Sequence, residues 1–395
     1  MIGITAYGAY IPWHRMERQL CVKAWGGFGM PGEKAVAYFD EDSLTMGVAA
    51  ALDCLGDVDP QTIDGLYFST TTPPYKEKQG AAIMAIALGL RRDVRTADFG
   101  TSLRAGTIAF GAAHDAIKAG TARSILVTAA DMRLAAPGGI TEQGLGDGGA
   151  AFLLGTENVI AEIQGTFSIT DELAGTWRAA DDTFIRSWED RMVLDEGYSV
   201  IIPEALTGIM KKYNLSPKDF TKVVFDSPVD GRRHGKAAAA AGFDPSQVHE
   251  PFTLFLKVGL TGCASAPMML VSALETAKPG DRILYAGSGD GVDAFILQVT
   301  DAITKLPSRR GINGHLASKK MMESYNAYLT WRGIVPQEEA RRPAKTPARL
   351  SAIWRERRQQ LGLWGIKCRR CGTVQYDDGA AATTPIRICA VCGTK

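Results

Sequence analysis

The sequence predicts an α/β protein whose body consists of two similar halves. The first observation is a repeated Gly-rich frame: GLGDGGAAFLL begins at Gly144, and GSGDGVDAFIL begins at Gly287. The second is an upstream repeat of a small-residue helix and a strand, which begins at Ala105 and again at Cys263. A third echo relates residues 62–72 and 219–230, each a strand that runs into a polar loop with proline. Such repetition indicates two copies of one α/β unit packed together.

The two repeats differ in one stretch. The extra residues of the first half fall in Asp131–Gln143, a loop that contains Gly and Pro. A loop that is present in only one of two similar halves usually serves a site or an interface.

Periodicity and capping signals place the other elements. Strands are predicted at Met1–Ile11, Gly65–Ser69, Ser124–Ala129, Ala150–Leu154, Val223–Asp226, Arg282–Ala286 and Ala294–Val299. Helices are predicted at Glu41–Leu55 (with Asp42 or Ser43 as N-cap), Gly80–Leu90, Thr107–Ala119, Pro203–Lys212, Ala237–Ala241 and Ala266–Ala277.

Composition indicates a soluble globular protein. The chain has 395 residues, of which 46% are hydrophobic and 22% charged, values that are ordinary for such proteins. No apolar run is long enough for a membrane span, and the N-terminus lacks the pattern of a signal peptide. We expect no membrane partner and a cytoplasmic location.

The C-terminal part has a different character. Residues 301–395 hold 18 Lys and Arg against 7 Asp and Glu, whereas residues 1–300 hold 26 against 36. A basic tail beside an acidic body can bind nucleic acid, bind phosphate-bearing cofactors such as coenzyme A, or dock on the body itself. We favour docking on the body. Residues 301–363 are predicted to be a basic linker without a core, with short amphipathic helices around Ser324–Arg332 and Leu350–Gln360.

Two Cys-x-x-Cys pairs lie near the C-terminus, in residues 364–395, and together predict a structural zinc ribbon. Four thiolates at this spacing suit tetrahedral Zn²⁺. A pair of redox dithiols and a nucleic-acid-binding ribbon are the weaker alternatives. The predicted ligands are Cys368, Cys371, Cys389 and Cys392, with turn glycines at Gly372 and Gly393.

The stretch DFGTSLRAGT, residues 98–107, predicts an extended approach, a tight turn and a helix start. Backbone N–H groups and the helix dipole stabilise an anion at such a position, and acyl-transfer enzymes often place a nucleophile there. The turn here contains Ser102 and Leu103 but no cysteine.

These motifs resemble the thiolase superfamily, most closely its 3-hydroxy-3-methylglutaryl-CoA synthase-like branch, over roughly residues 1–300. The resemblance rests on DEDSLTM (40–46), DFGTSLRAGT (98–107), GLGDGGAAF and AGSGDGVDAF (286–295). It implies a duplicated, five-layered α/β/α/β/α thiolase-like fold, usually a homodimer, that acts on acyl-CoA thioesters. The first half would span residues 1–163 and the second half residues 164–300.

The resemblance also implies where the catalytic residues should lie, and this chain departs from the pattern there. The nucleophilic cysteine position falls on Leu103, and the glutamate position falls on Thr71. The histidine position falls on Asp226, and an asparagine position falls on Leu260. A covalent acyl-enzyme mechanism is therefore not expected at this turn.

The tail resembles the zinc-ribbon/OB-fold proteins that accompany thiolase-like enzymes. The resembling stretches are YNAYLTWRGIVP (325–336), the segment 350–376 and ICAVCG (388–393). In that family an OB domain normally follows the second Cys pair. We expect either that this sequence is a fragment that stops before such a domain, or that a partner OB-fold protein or partner enzyme supplies it.

Several side chains remain candidates for proton transfer or nucleophilic attack, each beside a purely structural alternative. Asp226 and His234 are candidate acid/base groups, or else a loop cap and a surface-loop residue. Tyr75 is a candidate hydrogen-bond donor, or else packs in a loop. Ser102 and Cys263 are candidate substitute nucleophiles, or else a helix N-cap and a buried small residue.

Other residues are candidates for contacts with the CoA thioester. The basic group Arg232, Arg233 and Lys236 would lie near CoA phosphates. Gly289 and Gly291 would let the backbone approach a thioester and offer N–H groups as an oxyanion hole. We expect Asp147 and Asp290, in the repeated G-D-G turns, to be turn residues.

Three functions remain open. The preferred one is an acyl-CoA-dependent enzyme of aldol or retro-aldol type that forms no cysteine acyl-enzyme. The second is a Claisen-type acyltransferase or thiolase that uses Cys263 or Ser102. The third is a non-catalytic scaffold that binds acyl-CoA or a partner enzyme.

Overall fold

A computed structural model describes residues 1–172, 175–228, 231–338, 349–375 and 388–394. Its strands are β1 (Gly3–Tyr10), β2 (His14–Glu17), β3 (Glu33–Val36), β4 (Gly65–Ser69), β5 (Arg95–Phe99), β6 (Ser124–Asp131), β7 (Gly148–Gly155), β8 (Ala161–Thr170), β9 (Thr176–Trp177), β10 (Arg186–Ser187), β11 (Lys222–Phe225), β12 (Arg282–Gly289), β13 (Gly291–Val299), β14 (Lys320–Met321), β15 (Ile366–Lys367) and β16 (Val374–Gln375).

The α-helices of the described residues are α1 (Gln19–Trp25), α2 (Ser43–Leu55), α3 (Gly80–Ala87), α4 (Ala105–Lys118), α5 (Ile140–Gly144), α6 (Asp190–Met192), α7 (Ser199–Lys212), α8 (Gly231–Ala240), α9 (Phe252–Lys257), α10 (Ser265–Leu274), α11 (Gly311–Leu316), α12 (Tyr325–Trp331) and α13 (Leu350–Gly362). A π-helical segment, Val193–Tyr198, leads into α7. Among the described helices none is both long and apolar enough to cross a bilayer, and the cytoplasmic location stays a prediction.

The main sheet shows the duplication directly. Within the described residues it has nine strands in the order β11-β12-β13-β8-β1-β7-β6-β4-β5. In each half a parallel pair (β4 with β6, β11 with β12) continues into antiparallel neighbours (β7 and β1, β13 and β8). The halves join where β1 runs antiparallel to β8. The sequence analysis predicted one strand in residues 62–72 and a corresponding strand in residues 219–230. These are confirmed as β4 and β11, which occupy equivalent places in the two halves.

Helices complete a five-layered arrangement, as the family resemblance implies. Helices α4 and α10 contact each other and both halves of the sheet, and the largest apolar cluster surrounds them. Helices α2 and α3 cover the outer face of the first half, and α7 and α8 cover that of the second. Small residues such as Gly106 permit the close contact between α4 and the segment that leads into α10, because a Cβ on Gly106 would lie 2.6 Å from the Cys263 carbonyl oxygen.

Helix α2 shows how local sequence sets an element boundary. Asp42 is its N-cap, and a capping box joins the side chains and backbones of Asp42 and Thr45. This confirms one of the two predicted caps. Most predicted elements recur with ends shifted by a few residues. Strands β2, β3 and β8 were not predicted, and β5 was predicted only as the extended approach that begins at Asp98.

The segment after the second half is part of the body, and the prediction that residues 301–363 lack a core is wrong for its first part. Tyr325, Tyr328 and Leu329 of α12 are buried against Met16 and Val36. The predicted amphipathic helices themselves are confirmed as α12 and α13. The domain limits at 163, 300 and 363 stay predictions, and the first lies within β8.

Buried polar contacts fix α12 on the body, as the prediction of self-docking requires. Arg332 forms an ion pair with Asp147, and the two side chains are 2% and 1% exposed. Tyr325 donates a hydrogen bond to Glu142 over 2.7 Å. The buried Lys34 donates to the Glu142 carbonyl and lies over the Tyr328 ring. Asp147 therefore holds the C-terminal segment in addition to its place in a G-D-G turn.

Candidate functional site

A cavity of about 410 Å³ opens beside the carboxyl ends of strands from both halves. Leu103, Asp226 and Leu260 line it together, three of the four positions at which the chain departs from the family pattern. The fourth, Thr71, uses its hydroxyl to bond Asp131 over 2.8 Å instead of lining the cavity. Much of the wall is apolar, with contributions from Met30, Ile140, Leu145, Val193, Leu194 and Ile201.

The turn before α4 is held in a strained conformation. Thr101 has a φ of 66°, which a β-branched residue adopts only at a cost of about 1–3 kcal/mol. The Ser102 hydroxyl accepts hydrogen bonds from the backbone N–H groups of Arg104 and Asp290, each over 3.4 Å. These contacts hold the turn that presents Leu103 to the cavity.

Two glycines bring strand ends close to that turn. A Cβ on Gly289 would lie 2.6 Å from the Arg104 nitrogen and 2.7 Å from the Ser102 hydroxyl, so only glycine fits there. Gly289 lines the cavity, whereas Gly291, with a φ of 114°, is pressed against the Ile169 carbonyl and does not. Backbone of both halves thus meets at the Leu103 end of the cavity.

Asp226 is the carboxylate at this end. It follows β11 and accepts hydrogen bonds from the backbone N–H of Ser288, over 2.8 Å, and from the Ser288 hydroxyl. Burial raises the pKa of Asp226, although both Ser288 hydrogen bonds favour the charged form. A carboxylate with a raised pKa is a better base at neutral pH than an exposed one.

His234 lies behind this wall, and its predicted place in a polar loop is wrong. It belongs to α8, is 1% exposed, and stacks on Phe225 with ring centroids 4.0 Å apart. Its Nδ1 is 3.2 Å from the Tyr198 hydroxyl, which donates to the Asp226 carbonyl over 2.8 Å. Burial lowers the pKa of His234 to about 4. Tyr198 lines the cavity and His234 does not.

The other predicted acid/base and nucleophile candidates lie outside the cavity wall. Cys263 is 1% exposed; its backbone N–H donates to Asp131 over 2.8 Å, and its thiol faces the Ser69 carbonyl. Burial, followed by the nearby Asp131 charge, raises the pKa of the Cys263 thiol well above its ordinary value. Tyr75 is 46% exposed, with Lys78 over its ring.

The basic group predicted to meet CoA phosphates lies on α8. Arg232 and Lys236 are exposed, whereas Arg233 is partly buried and pairs with Asp195. None of the three lines the cavity among the described residues. Their role toward CoA stays a prediction.

Two residues that the sequence did not single out shape the opposite wall. Asp131 is fully buried and accepts hydrogen bonds from Thr70, Thr71, Thr72 and the backbone of Cys263. Arg133 lines the cavity at 9% exposure. Both belong to Asp131–Gln143, the loop region that only the first half carries. Its absence from the second half was the feature of the sequence that could have pointed to these two residues.

The four C-terminal cysteines form a compact cluster. Their sulfur atoms lie within 4.8 Å of one another, and the Cys368–Cys392 and Cys371–Cys389 pairs are 3.7 and 3.5 Å apart. A tetrahedral site with Zn–S bonds of about 2.3 Å requires sulfur atoms roughly 3.8 Å apart. The described donors therefore fit zinc.

Each Cys pair forms the same turn. The backbone N–H of Gly372 donates to the Cys368 carbonyl, and that of Gly393 donates to the Cys389 carbonyl, both over 2.9 Å. Both glycines have positive φ, of 74° and 66°, as the sequence suggests for turn glycines. The two turns present the thiols to a common centre.

Comparison with known proteins gives one consistent picture. No family model matches the chain. Hydroxymethylglutaryl-CoA synthase of Methanopyrus kandleri is 34% identical over 339 residues, which cover 83% of this chain and 96% of that protein. The enzyme of the same name from Methanocaldococcus jannaschii is 31% identical over 344 residues, covering 84% and 99%. These matches exceed the roughly 300 residues that the sequence motifs suggested.

Solved structures agree on the fold. An HMG-CoA synthase complexed with CoA superposes with a TM-score of 0.72 at 18% identity, covering 83% of this chain and 89% of that one. β-Ketoacyl-[acyl carrier protein] synthase III of Thermus thermophilus gives a TM-score of 0.67 at 21% identity, covering 75% and 98%. The thiolase-like fold implied by the motifs is confirmed.

Proposed function

Because the chain belongs to the hydroxymethylglutaryl-CoA synthase family, we propose that it forms or cleaves a carbon–carbon bond in an acyl-CoA thioester. We further propose that it does so by aldol or retro-aldol chemistry without a cysteine acyl-enzyme. One observation carries this proposal. Asp226, a carboxylate of raised pKa, lines the same cavity as Leu103, which occupies the family's nucleophile position in the turn before α4.

Leu103 and Leu260 argue against covalent acyl transfer at this turn. An alkyl side chain cannot attack a thioester, and the two candidate substitute nucleophiles, Ser102 and Cys263, do not line the cavity among the described residues. A neutral serine would also need a base within hydrogen-bond reach. The hydroxyl of Ser102 instead accepts backbone hydrogen bonds.

Aldol chemistry needs only groups that the cavity holds. In the cleavage direction Asp226 takes the proton of a 3-hydroxyl group, and the bond between C2 and C3 breaks. A ketone or aldehyde leaves, and the electron pair stays on C2 as an enolate of the thioester. The proton on Asp226 then returns to C2 to give the shortened acyl-CoA. Backbone N–H groups near Gly289 would stabilise the enolate oxygen, and bond formation is the reverse sequence.

The test is release of acetyl-CoA from 3-hydroxyacyl-CoA thioesters, including 3-hydroxy-3-methylglutaryl-CoA, by the purified protein. Asp226→Asn should lower kcat by roughly 10²–10⁴, the usual contribution of a general acid or base. Asp290→Asn is the matched control, because that aspartate of the second G-D-G turn is exposed. Equal activity of both variants would refute the role of Asp226.

A Claisen-type synthase is the second candidate, and the activity named for the relatives favours it. It would need an acyl adduct on Cys263 or Ser102. Mass spectrometry after incubation with acetyl-CoA or acetoacetyl-CoA decides between the two: an adduct on either residue supports the synthase. CoA binding without any turnover, together with a co-purifying enzyme, would support the non-catalytic scaffold.

The tail is proposed to be a zinc ribbon with a structural role. Four thiolates leave no open coordination position, so the metal would stabilise this fold and do no chemistry. Cys368, Cys371, Cys389 and Cys392 are the proposed ligands. Association with an OB-fold protein or enzyme through this tail is likewise a proposal.

A homodimer is proposed on the evidence of one sheet edge. Strand β5 ends the nine-stranded sheet in the described structure, and most of its residues are exposed or half-exposed. An uncovered edge offers unpaired backbone groups to a second strand. Light scattering of the purified protein tests this directly.

A further inference from the structure

The part of the cavity wall that is shielded from water is dominated by apolar side chains. Apart from the two leucines at the family's catalytic positions, the larger buried or half-buried ones are Met30, Leu145, Ile185, Val193, Leu194 and Ile201. The polar side chains of the wall that are exposed to water are Asp171, Thr176, Ser187 and Asp190. The cavity is therefore polar where it meets water and largely apolar within.

Two leucines extend the apolar surface to the end where the chemistry is proposed. Leu103 and Leu260 stand where the family resemblance places a cysteine and an asparagine, and both line the cavity. Leu260 forms a parallel backbone bridge with Leu145, so this side of the wall is continuous. Each leucine presents an alkyl group in place of a polar one. Such a wall favours hydrocarbon over polar ligand atoms, because polar atoms lose hydrogen bonds to water there.

The charged side chains inside the cavity already have partners. Asp226 accepts hydrogen bonds from the backbone N–H and the hydroxyl of Ser288. Arg133 donates to the Thr176 hydroxyl over 2.9 Å, and the nearby Asp131 carboxylate supplies its counter-charge. Neither side chain needs a polar acyl group to compensate its burial.

The size of the cavity exceeds what a short acyl group fills. Its volume of about 410 Å³ holds roughly a dozen groups of about 30 Å³, the volume of a water molecule in the liquid. The end of CoA that carries the thioester takes part of this space. A bound acetyl group would still leave apolar wall in contact with water, whereas a longer hydrocarbon chain would cover it, and covering apolar surface is favourable.

One face of the second half supplies much of the apolar wall. Leu194, Gly197, Tyr198 and Ile201 follow one another at the spacing of a helix face, and all line the cavity. They run from the π-helical segment into α7, and π-helical turns are frequent at functional sites. The single polar atom of these side chains, the Tyr198 hydroxyl, donates to the Asp226 carbonyl over 2.8 Å. This face therefore offers an acyl chain apolar contacts.

We propose that the acyl group of the substrate is a hydrocarbon chain longer than about four carbons, and that it lies against Val193, Leu194 and Ile201. This deepens the proposed function and rests on it, because it specifies the acyl-CoA. The polar interior expected for a short, polar acyl group is replaced here by alkyl side chains at Leu103 and Leu260.

The test is calorimetric binding of free CoA, acetyl-CoA, hexanoyl-CoA and decanoyl-CoA to the purified protein. Affinity should rise roughly fourfold for each added methylene until the cavity is full, since burying a methylene contributes about that factor. A polar isostere, 6-hydroxyhexanoyl-CoA, should bind roughly tenfold or more weakly than hexanoyl-CoA, because its hydroxyl would lose hydrogen bonds to water.

Two substitutions should shift the chain-length preference in opposite directions. Val193→Trp fills the wall and should lower the preference for hexanoyl-CoA over acetyl-CoA roughly tenfold. Met192→Trp, at an adjacent side chain 50% exposed, is its matched control and should keep the preference. Ile201→Ala enlarges the cavity and should raise the affinity for decanoyl-CoA relative to hexanoyl-CoA. Val200→Ala, at a side chain 48% exposed, should not.

Each other outcome overturns the inference in a distinguishable way. Equal wild-type affinity for acetyl-CoA and hexanoyl-CoA, or equal affinity for hexanoyl-CoA and its hydroxylated isostere, removes the apolar subsite but leaves the proposed function standing. Equal weakening of free CoA and hexanoyl-CoA in Val193→Trp assigns this wall to the pantetheine arm of CoA instead. Failure of every CoA ligand to bind removes both the subsite and the proposed function.

Discussion

Replacing Arg332 with methionine should lower the free energy of unfolding by about 3–5 kcal/mol, the usual cost of removing one partner of a buried ion pair. Asp147, 1% exposed, would keep one hydrogen-bond donor among the described residues, the backbone N–H of Ala37 at 2.7 Å, and the charge of the nearby buried Lys34. Because the ion pair joins α12 to the first half, the loss tests whether the C-terminal segment is part of the body.

Urea denaturation of the Arg332→Met, Asp147→Asn and doubly substituted proteins measures the coupling between the two side chains. Lys319→Met is the matched control in the same segment. Its ion pair with Glu33 is 41% exposed at the lysine, and such pairs contribute about 1 kcal/mol or less. A cost for Arg332→Met no larger than that of the control, or a double variant whose cost equals the sum of the single ones, would refute the reasoning.

Three further predictions concern protonation and metal. Burial raises the pKa of Asp226, so kcat/KM in the cleavage assay should fall toward low pH with a midpoint above about 3.9, the ordinary aspartate value, and a midpoint below it would contradict the assignment. Burial lowers the pKa of His234 to about 4, so stability present above pH of about 6.5 should be lost as the pH falls toward 4. His234→Phe, which keeps an aromatic ring on Phe225, should reduce that loss by up to about 3 kcal/mol; urea midpoints at pH 7.5 and 4.5 measure it, and an unchanged difference argues against His234. Metal analysis should find one zinc per chain, lost in Cys389→Ser but kept in Cys21→Ser, and metal-free wild type would exclude the ribbon site.

The duplicated fold was predictable because both halves keep short, local signals. The G-x-G-D-G frame marks the turn before β7 and before β13, and each precedes an antiparallel strand of the main sheet. The predicted strand at Gly65–Ser69 recurs without change as β4. Strand β8 was missed because it is half exposed along its second part and carries no turn signal of its own.

The candidate site was predictable only in part. The family resemblance assigned Leu103, Asp226 and Leu260 to catalytic positions, and the structure places all three along one cavity. Their roles stay predictions. Motif order gave no sign of Arg133. The one sequence signal was the loop present only in the first half, and the packing of Arg133 beside Gly262, far away in the sequence, is visible only in the tertiary structure.

The docking of α12 was likewise visible only in tertiary structure. Its buried residues contact partners about 300 positions earlier in the chain, so the local basic composition concealed a core.

The most direct test of the central claim is a structure with an acyl-CoA bound. The account predicts an intact thioester whose carbonyl oxygen lies within roughly 3.5 Å of backbone N–H groups at Leu103 or Gly289, with the Asp226 carboxylate within hydrogen-bond reach of the reacting carbons or hydroxyl. An acyl group bonded to Cys263 or Ser102, or CoA bound away from this cavity, would contradict it.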